Sequence, residues 1–216
     1  MPSDSLILGF DTSAAHCAAV LLSGDVVLAA RHEDMAKGQA ERLMPLLEEV
    51  LAEGGVDWSD LVALGVGIGP GNFTGVRISV SAARGLALGL GIPAVGVSLL
   101  DALAFGSNGP VLACLDARRG AAYLQRHGYG DPAPFLASLD ALPDLAAPGL
   151  VCVGTIADQV ADLIGARHVP AVYAPASAIA RIAVRRAVRP DERPAPLYLR
   201  SADAAPPRDV PPVILP

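Results

Sequence analysis

The chain has 216 residues, 52% of them hydrophobic and 18% charged, with a formal net charge of −6. That length and apolar content suit one large or two small domains with real cores, and they exclude a largely disordered chain. The acidic balance excludes a broad surface that grips nucleic acid unaided.

The opening "MPSDSLILGFDTS" lacks the basic n-region of a signal peptide, and no apolar run approaches the ~20 residues of a membrane helix. A cytoplasmic chain without membrane contact is expected. Within the opening, "LILGFDTS" reads as a buried strand ending at Asp11. "HCAAVLLSGDVVLAARHE" places two apolar runs around Ser23-Gly24-Asp25, which predicts a hairpin. Leu43, Leu47, Val50 and Leu51 recur at helical spacing and stop at Gly54-Gly55; Pro45 inside that pattern predicts a kink or a late start. "LVALGVGIG" is a second buried strand, followed by the loop "GPGNFTG" and a helix over 74–90. "IPAVGVSLLDALA" adds a strand and a short helix, and "GSNGP" at 106–110 marks a boundary.

Beyond it the pattern restarts. "VLACLDARRGAAYLQRHG" repeats the strand-turn-strand shape of the opening, its first strand again ending in aspartate, Asp116. "LVCVGTIADQVADLIG" and "SAIARIAVRRAVRP" complete a second, smaller unit, and residues 201–216 form a proline-rich tail expected to be loosely held. The expected organisation is therefore residues 1–107, residues 108–200 and the tail.

Asp11, Thr12 and Ser13 sit where a strand gives way to a turn, a place suited to phosphate or metal. The competing explanation is that these side chains satisfy their own turn. "GPGNFTG" has the permissive backbone of a phosphate loop, with Thr74 able to cap the helix behind it. Yet the Walker lysine is absent, and the third glycine of a dinucleotide fingerprint would fall on Asn72. The four histidines and three cysteines show no metal-ligand spacing, and no serine sits in a nucleophile elbow, so no metal and no cofactor are expected. His16 and Cys17, adjacent in a strand, point to opposite faces and cannot form a dyad. Arg181, Arg185, Arg186 and Arg189 gather on the last helix, as a solvated face or as an RNA contact.

The helix over 74–90 is apolar around most of its circumference, which calls for cover on two sides. Its small-residue stripe, Gly75, Ser79, Ala82, Leu86 and Gly89, is the candidate partner interface. Arg77, Ser81 and Arg84 mark its polar edge.

"ILGFDTS", "GIGPGNFTGVRISVSAARGLALGLGIPAVGVS", "LDARRGAAY" and "PLYLR" together resemble the TsaB (YeaZ) family, over a span from Leu6 to Arg200. The resemblance implies an α/β, actin-like and Hsp70-like (ASKHA) fold: two related domains with mixed sheets, in which Asp11, Thr12 and Ser13 occupy the place of nucleotide-phosphate contacts. It implies a non-catalytic subunit required for threonylcarbamoyl-adenosine at position 37 of transfer RNA. That subunit would form a heterodimer with the TsaD transferase and a ternary assembly with the ATPase TsaE, would be a homodimer when alone, and would touch tRNA only indirectly or weakly. TsaD carries a metal-binding histidine pair; the comparable "MAKGQAERLMP" here has Lys37 and Glu41 instead. One rival remains open, an autonomous ATP-binding enzyme using Asp11 and Asp116 across a cleft; a peptidase has no metal-ligand pair or nucleophile elbow here to support it.

Overall fold

A computed structural model describes residues 5–128, 133–187 and 193–200. The first sheet contains β1 (Leu6–Asp11), β2 (His16–Ser23), β3 (Val26–Asp34), β4 (Ala63–Gly67) and β5 (Ala94–Val97), in the order β3-β2-β1-β4-β5. The first three are antiparallel neighbours, while β4 and β5 join parallel to β1. The second sheet contains β6 (Val111–Asp116), β7 (Ala121–His127), β8 (Phe135–Ser138), β9 (Val151–Gly154) and β10 (Arg167–His168), in the order β8-β7-β6-β9-β10. Its pairings repeat the first sheet's pattern strand for strand. The duplicated opening seen in the sequence is thus a duplicated topology.

Among the described residues the α-helices are α1 (Gln39–Gly54), α2 (Phe73–Leu90), α3 (Leu99–Ala104), α4 (Ala157–Ile164) and α5 (Pro175–Arg186). The period-2 alternation of each central strand sends its side chains into two cores. Leu8 and Phe10 of β1 face α1 and α2, whereas Ile7 faces α5. Leu112 and Cys114 of β6 face α4, and Val111 and Ala113 face α3. In the second half a loop carrying buried Leu145 and Leu150 lies over the sheet between β8 and β9, where the first half places α1.

The last helices change sides. α3 follows the first sheet, yet Leu100 and Leu103 pack on the second. α5 follows the second sheet, yet Ile179, Ile182 and Ala183 pack on the first, beside Leu99 and Ala102 of α3. The sequence assigns α5 to the second unit; the structure gives it to the first sheet. Glycines permit the approach: a Cβ at Gly9 would collide with Ala180, and one at Gly65 with Ala183.

Helix α1 starts at Gln39 and runs through Pro45, so the late start is not observed; its stop is the left-handed Gly55, as the sequence indicates. Helix α2 starts at Phe73, and its cap is Asn72, whose side chain accepts from Gly75 N at 2.9 Å, not Thr74. Both residue types cap well, and the register of the loop decides between them. The tail from Ser201 and Arg189 lie outside the described residues.

Candidate functional site

The strand-to-helix loop after β4 and the turn after β1 meet as one closed unit. Asp11, Thr12 and Ser13 are completely buried. The Ser13 hydroxyl donates to Asp11 Oδ2 at 2.9 Å, and His16 Nε2 lies 2.7 Å from the same oxygen. Among the described residues Asp11 Oδ1 has no hydrogen-bond partner, and it lies against Gly67, where any side chain would overlap it. Thr12 Oγ1 donates to the Gly75 carbonyl at 2.7 Å, and Asn72 N donates to the Ser13 carbonyl at 2.6 Å. A Cβ at Gly71 would collide with the Ser13 carbonyl, and one at Gly75 with that of Thr12. The glycines that suggest a phosphate loop are therefore glycines because the chain's own turn fills that space.

The arrangement limits the chemistry. Asp11 does not face an open cleft toward Asp116, which is exposed and accepts from Arg118 N. Ser13 and His16 converge on one carboxylate oxygen, with no serine-to-histidine bond of the kind a hydroxyl nucleophile needs. His16 also contacts the ring of His32 at 5.0 Å, while Cys17 points to the opposite face, into the α1 side of the core. Burial pushes the Cys17 thiol up to about 11, away from nucleophilic reactivity. Cys114 and Cys152 are both buried; their contact, together with burial, raises the Cys114 thiol further. Among the described residues, no group of three or more His, Cys, Asp or Glu side chains is placed to hold a metal ion.

The arginines of α5 are engaged. Arg181 pairs with Asp25 at 3.0 Å and stacks over Tyr173; Arg185 stacks over Phe105; Arg186 pairs with Asp101 at 3.0 Å. They bind the chain to itself.

The candidate interface stripe divides. Gly75 and Ser79 are buried against the chain's own sheet and turn, and Ser79 Oγ donates to the Gly67 carbonyl at 3.1 Å. Ala82 and Leu86 are half-buried beside α1, and Gly89 is exposed. The face open to solvent is rotated from the predicted stripe. It runs through Ser81, Gly85, Leu88 and Gly89, with Leu88 84% exposed. A Cβ at Gly85 or Gly89 would meet nothing within 4 Å.

Sequence reasoning missed one more feature. Residues 193–200, including "PLYLR", form a strap along α2: Leu197 N donates to the Ile68 carbonyl at 2.8 Å and Arg84 Nε to the Pro194 carbonyl at 2.6 Å. Tyr198 contacts the Phe73 ring at 5.0 Å and accepts from Arg77 Nε at 3.0 Å. No local signal announces such a strap; only the arginine edge of α2 hints at it.

Known proteins align with this architecture. The family model described as TsaD, tRNA N6-adenosine threonylcarbamoyltransferase, matches residues 32–142. The tRNA threonylcarbamoyladenosine biosynthesis protein TsaB of Escherichia coli is 41% identical over 122 residues, covering 54% of this chain and 52% of that protein. The chain thus spans about half the length of this curated relative. A Pseudomonas aeruginosa crystal structure, described as an uncharacterized protein with similarity to peptidase YeaZ, superposes with a TM-score of 0.76 at 30% identity, covering 91% of this chain and all of that one. Component A of the (R)-2-hydroxyglutaryl-CoA dehydratase of Acidaminococcus fermentans superposes with a TM-score of 0.55 at 11% identity, over 86% of this chain and all of that one; that likeness concerns the fold alone. The fold is the actin-like one, and the chain belongs to the TsaB/YeaZ family.

Proposed function

We propose that the chain acts in the biosynthesis of threonylcarbamoyladenosine in tRNA as a non-catalytic subunit, docking a TsaD-type transferase through the exposed face of α2. The observation that carries this reading is the pair Gly85 and Gly89. A glycine inside a helix costs about 1 kcal/mol relative to alanine, and among the described residues nothing touches the space a Cβ would fill at either. The two glycines flank Leu88, which is 84% exposed. Helix surfaces of this kind, small residues around a protruding leucine, let a second helix approach closely. The filled turn at Asp11–Ser13 supports the non-catalytic part, because its two hydroxyls, one oxygen of the Asp11 carboxylate and the amides of Asn72 and Gly75 are engaged by the chain itself.

In isolation the same face would pair two copies, and a TsaE-type ATPase would join the heterodimer; contact with tRNA would then be chiefly through the assembly. The test is Gly85→Arg, whose side chain starts in open space. The variant should keep its circular dichroism spectrum and melting temperature while losing co-elution with a TsaD-type subunit and losing self-association. Retained binding by folded Gly85→Arg and Leu88→Glu variants refutes the docking face. ATP turnover that survives purification, and that an Asp11→Ala variant loses, would instead favour the autonomous enzyme.

A further inference from the structure

Arg77 and Arg84 form a second feature of α2, on the side of Leu88 away from Gly85, with Arg84 one turn from that leucine. They are seven residues apart, close to two full turns, so they project in nearly the same direction about 10 Å apart along the axis. Each is held by its Nε alone: Arg77 donates to the Tyr198 hydroxyl and Arg84 to the Pro194 carbonyl. Arg77 is further fixed by stacking its guanidinium 3.8 Å from the centre of the Phe73 ring. Both residues are exposed, and among the described residues neither pairs with a carboxylate or engages its terminal amino groups. Elsewhere in the chain Arg31, Arg42, Arg181 and Arg186 all have carboxylate partners.

We infer that these two forks, with the Phe73 and Tyr198 rings beside them, form a contact for the sugar-phosphate backbone of RNA. The strap orders both guanidinium groups before any ligand arrives, so little side-chain freedom is lost on binding. Each presents a planar pair of donors suited to a phosphate. Their spacing is too wide for one anion to bridge, so the ligand must carry regularly repeated anions on one chain. Phe73 and Tyr198, 41% and 45% exposed, leave ring surface on which an unpaired base can stack. An acidic peptide would use the charges but not the rings. The inference rests on the proposed role in tRNA modification, and it makes this chain a direct, weak contributor to RNA binding in spite of its net charge of −6.

The test is fluorescence anisotropy of the full chain with an unmodified tRNA transcript between 50 and 200 mM salt, a range over which phosphate contacts weaken measurably, at roughly 0.7 in log-log slope per single-strand phosphate. Arg77→Gln/Arg84→Gln should bind about tenfold or more weakly with a slope shallower by about 1.4, and with an unchanged melting curve. Arg77→Lys/Arg84→Lys should keep the wild-type slope at reduced affinity, because charge remains and the fork is lost. Three results would overturn the inference: no wild-type binding at the lowest salt, an identical slope in the glutamine variant, or equal competition by polyglutamate, which would point to an acidic protein. Co-elution with a TsaD-type subunit separates the two proposals. It should survive the glutamine changes, and its loss in Gly85→Arg should come with an RNA affinity no lower than that of the wild type, since that change adds a cation beside Arg84.

Discussion

Three glycines on one helix offer an internally controlled experiment. In Gly75→Ala the new methyl meets the Thr12 carbonyl oxygen and lies 3.1 Å from its carbon. These are backbone atoms of a buried turn, which cannot rotate aside as a side chain can. Overpacking of this kind costs about 1–3 kcal/mol or more, and the alanine propensity gain of up to about 1 kcal/mol offsets only part of it. In Gly85→Ala the methyl meets nothing within 4 Å. The propensity gain is then uncompensated, so the isolated chain should be stabilised by about 1 kcal/mol, or roughly 2–4 °C in Tm for a chain of this size. Gly89→Ala, in the last turn of α2, should gain less. Urea denaturation at low protein concentration reads all three, and sedimentation velocity reads the self-association that the proposed docking face calls for. Opposite signs at 75 and 85, with weaker association for Gly85→Ala, are expected. A destabilised Gly85→Ala would mean that an unseen internal contact explains that glycine, and a neutral or stabilising Gly75→Ala would mean that the turn yields.

Asp11→Asn should lower stability by about 1–3 kcal/mol, the range for disturbing a buried hydrogen-bond set, because Ser13 and His16 both converge on its Oδ2; equilibrium urea unfolding checks it. Cys17, raised to about 11 by burial, should resist alkylation at pH 8 until the chain unfolds. Because its folded pKa lies above the unfolded value, the associated stability is present below about pH 8.5 and is lost as pH rises toward 11. An alkaline melting series on wild type and Cys17→Ala reads the difference. Glu33 and Glu49 are held below the ordinary carboxylate range, first by hydrogen bonds from Arg42, which ties β3 to α1. Their contribution is present above the unfolded pKa and fades as pH falls through the lowered folded values, so Arg42→Gln should flatten the acid limb of stability against pH.

Much of the architecture is legible because it depends on local chemistry. The Gly24-Asp25 hairpin, the Gly54-Gly55 helix stop and the second strand ending in aspartate at Asp116 each carry their signal within a few residues. The destination of α5 does not. Its alanine-rich face names no target, and the glycines at 9 and 65 that make room for it on the first sheet lie more than a hundred residues away. The phase of α2 is hidden for a related reason. A helix apolar around most of its surface has a weak moment, so the stripe through Gly75 and Ser79 looks as available as that through Gly85 and Leu88. What separates them is the turn at 12–13, which the linear pattern does not place beside the helix. The same distance conceals the strap: Tyr198 meets Arg77 across 121 residues of chain.

The crossing of α3 and α5 also bears on how the molecule can move. A two-lobed protein couples ligand to motion by hinging, which needs lobes whose interiors stay intact as they part. Here each lobe has lent its last helix to the other, and the two borrowed helices touch in the middle. Swinging one sheet away would leave Leu100 and Leu103 with the second sheet and Ile179 and Ile182 with the first, and would part α3 from α5, baring Leu99 and Ala102 and the face of α5 they cover. A cut of the chain between the two sheets is harsher, since it strips the first sheet of α5 and the second of α3. The chain should therefore melt in one transition, and neither half should persist as a fragment. Each sheet is thus completed by a helix from the far half of the sequence, so the two halves depend on one another for their cores.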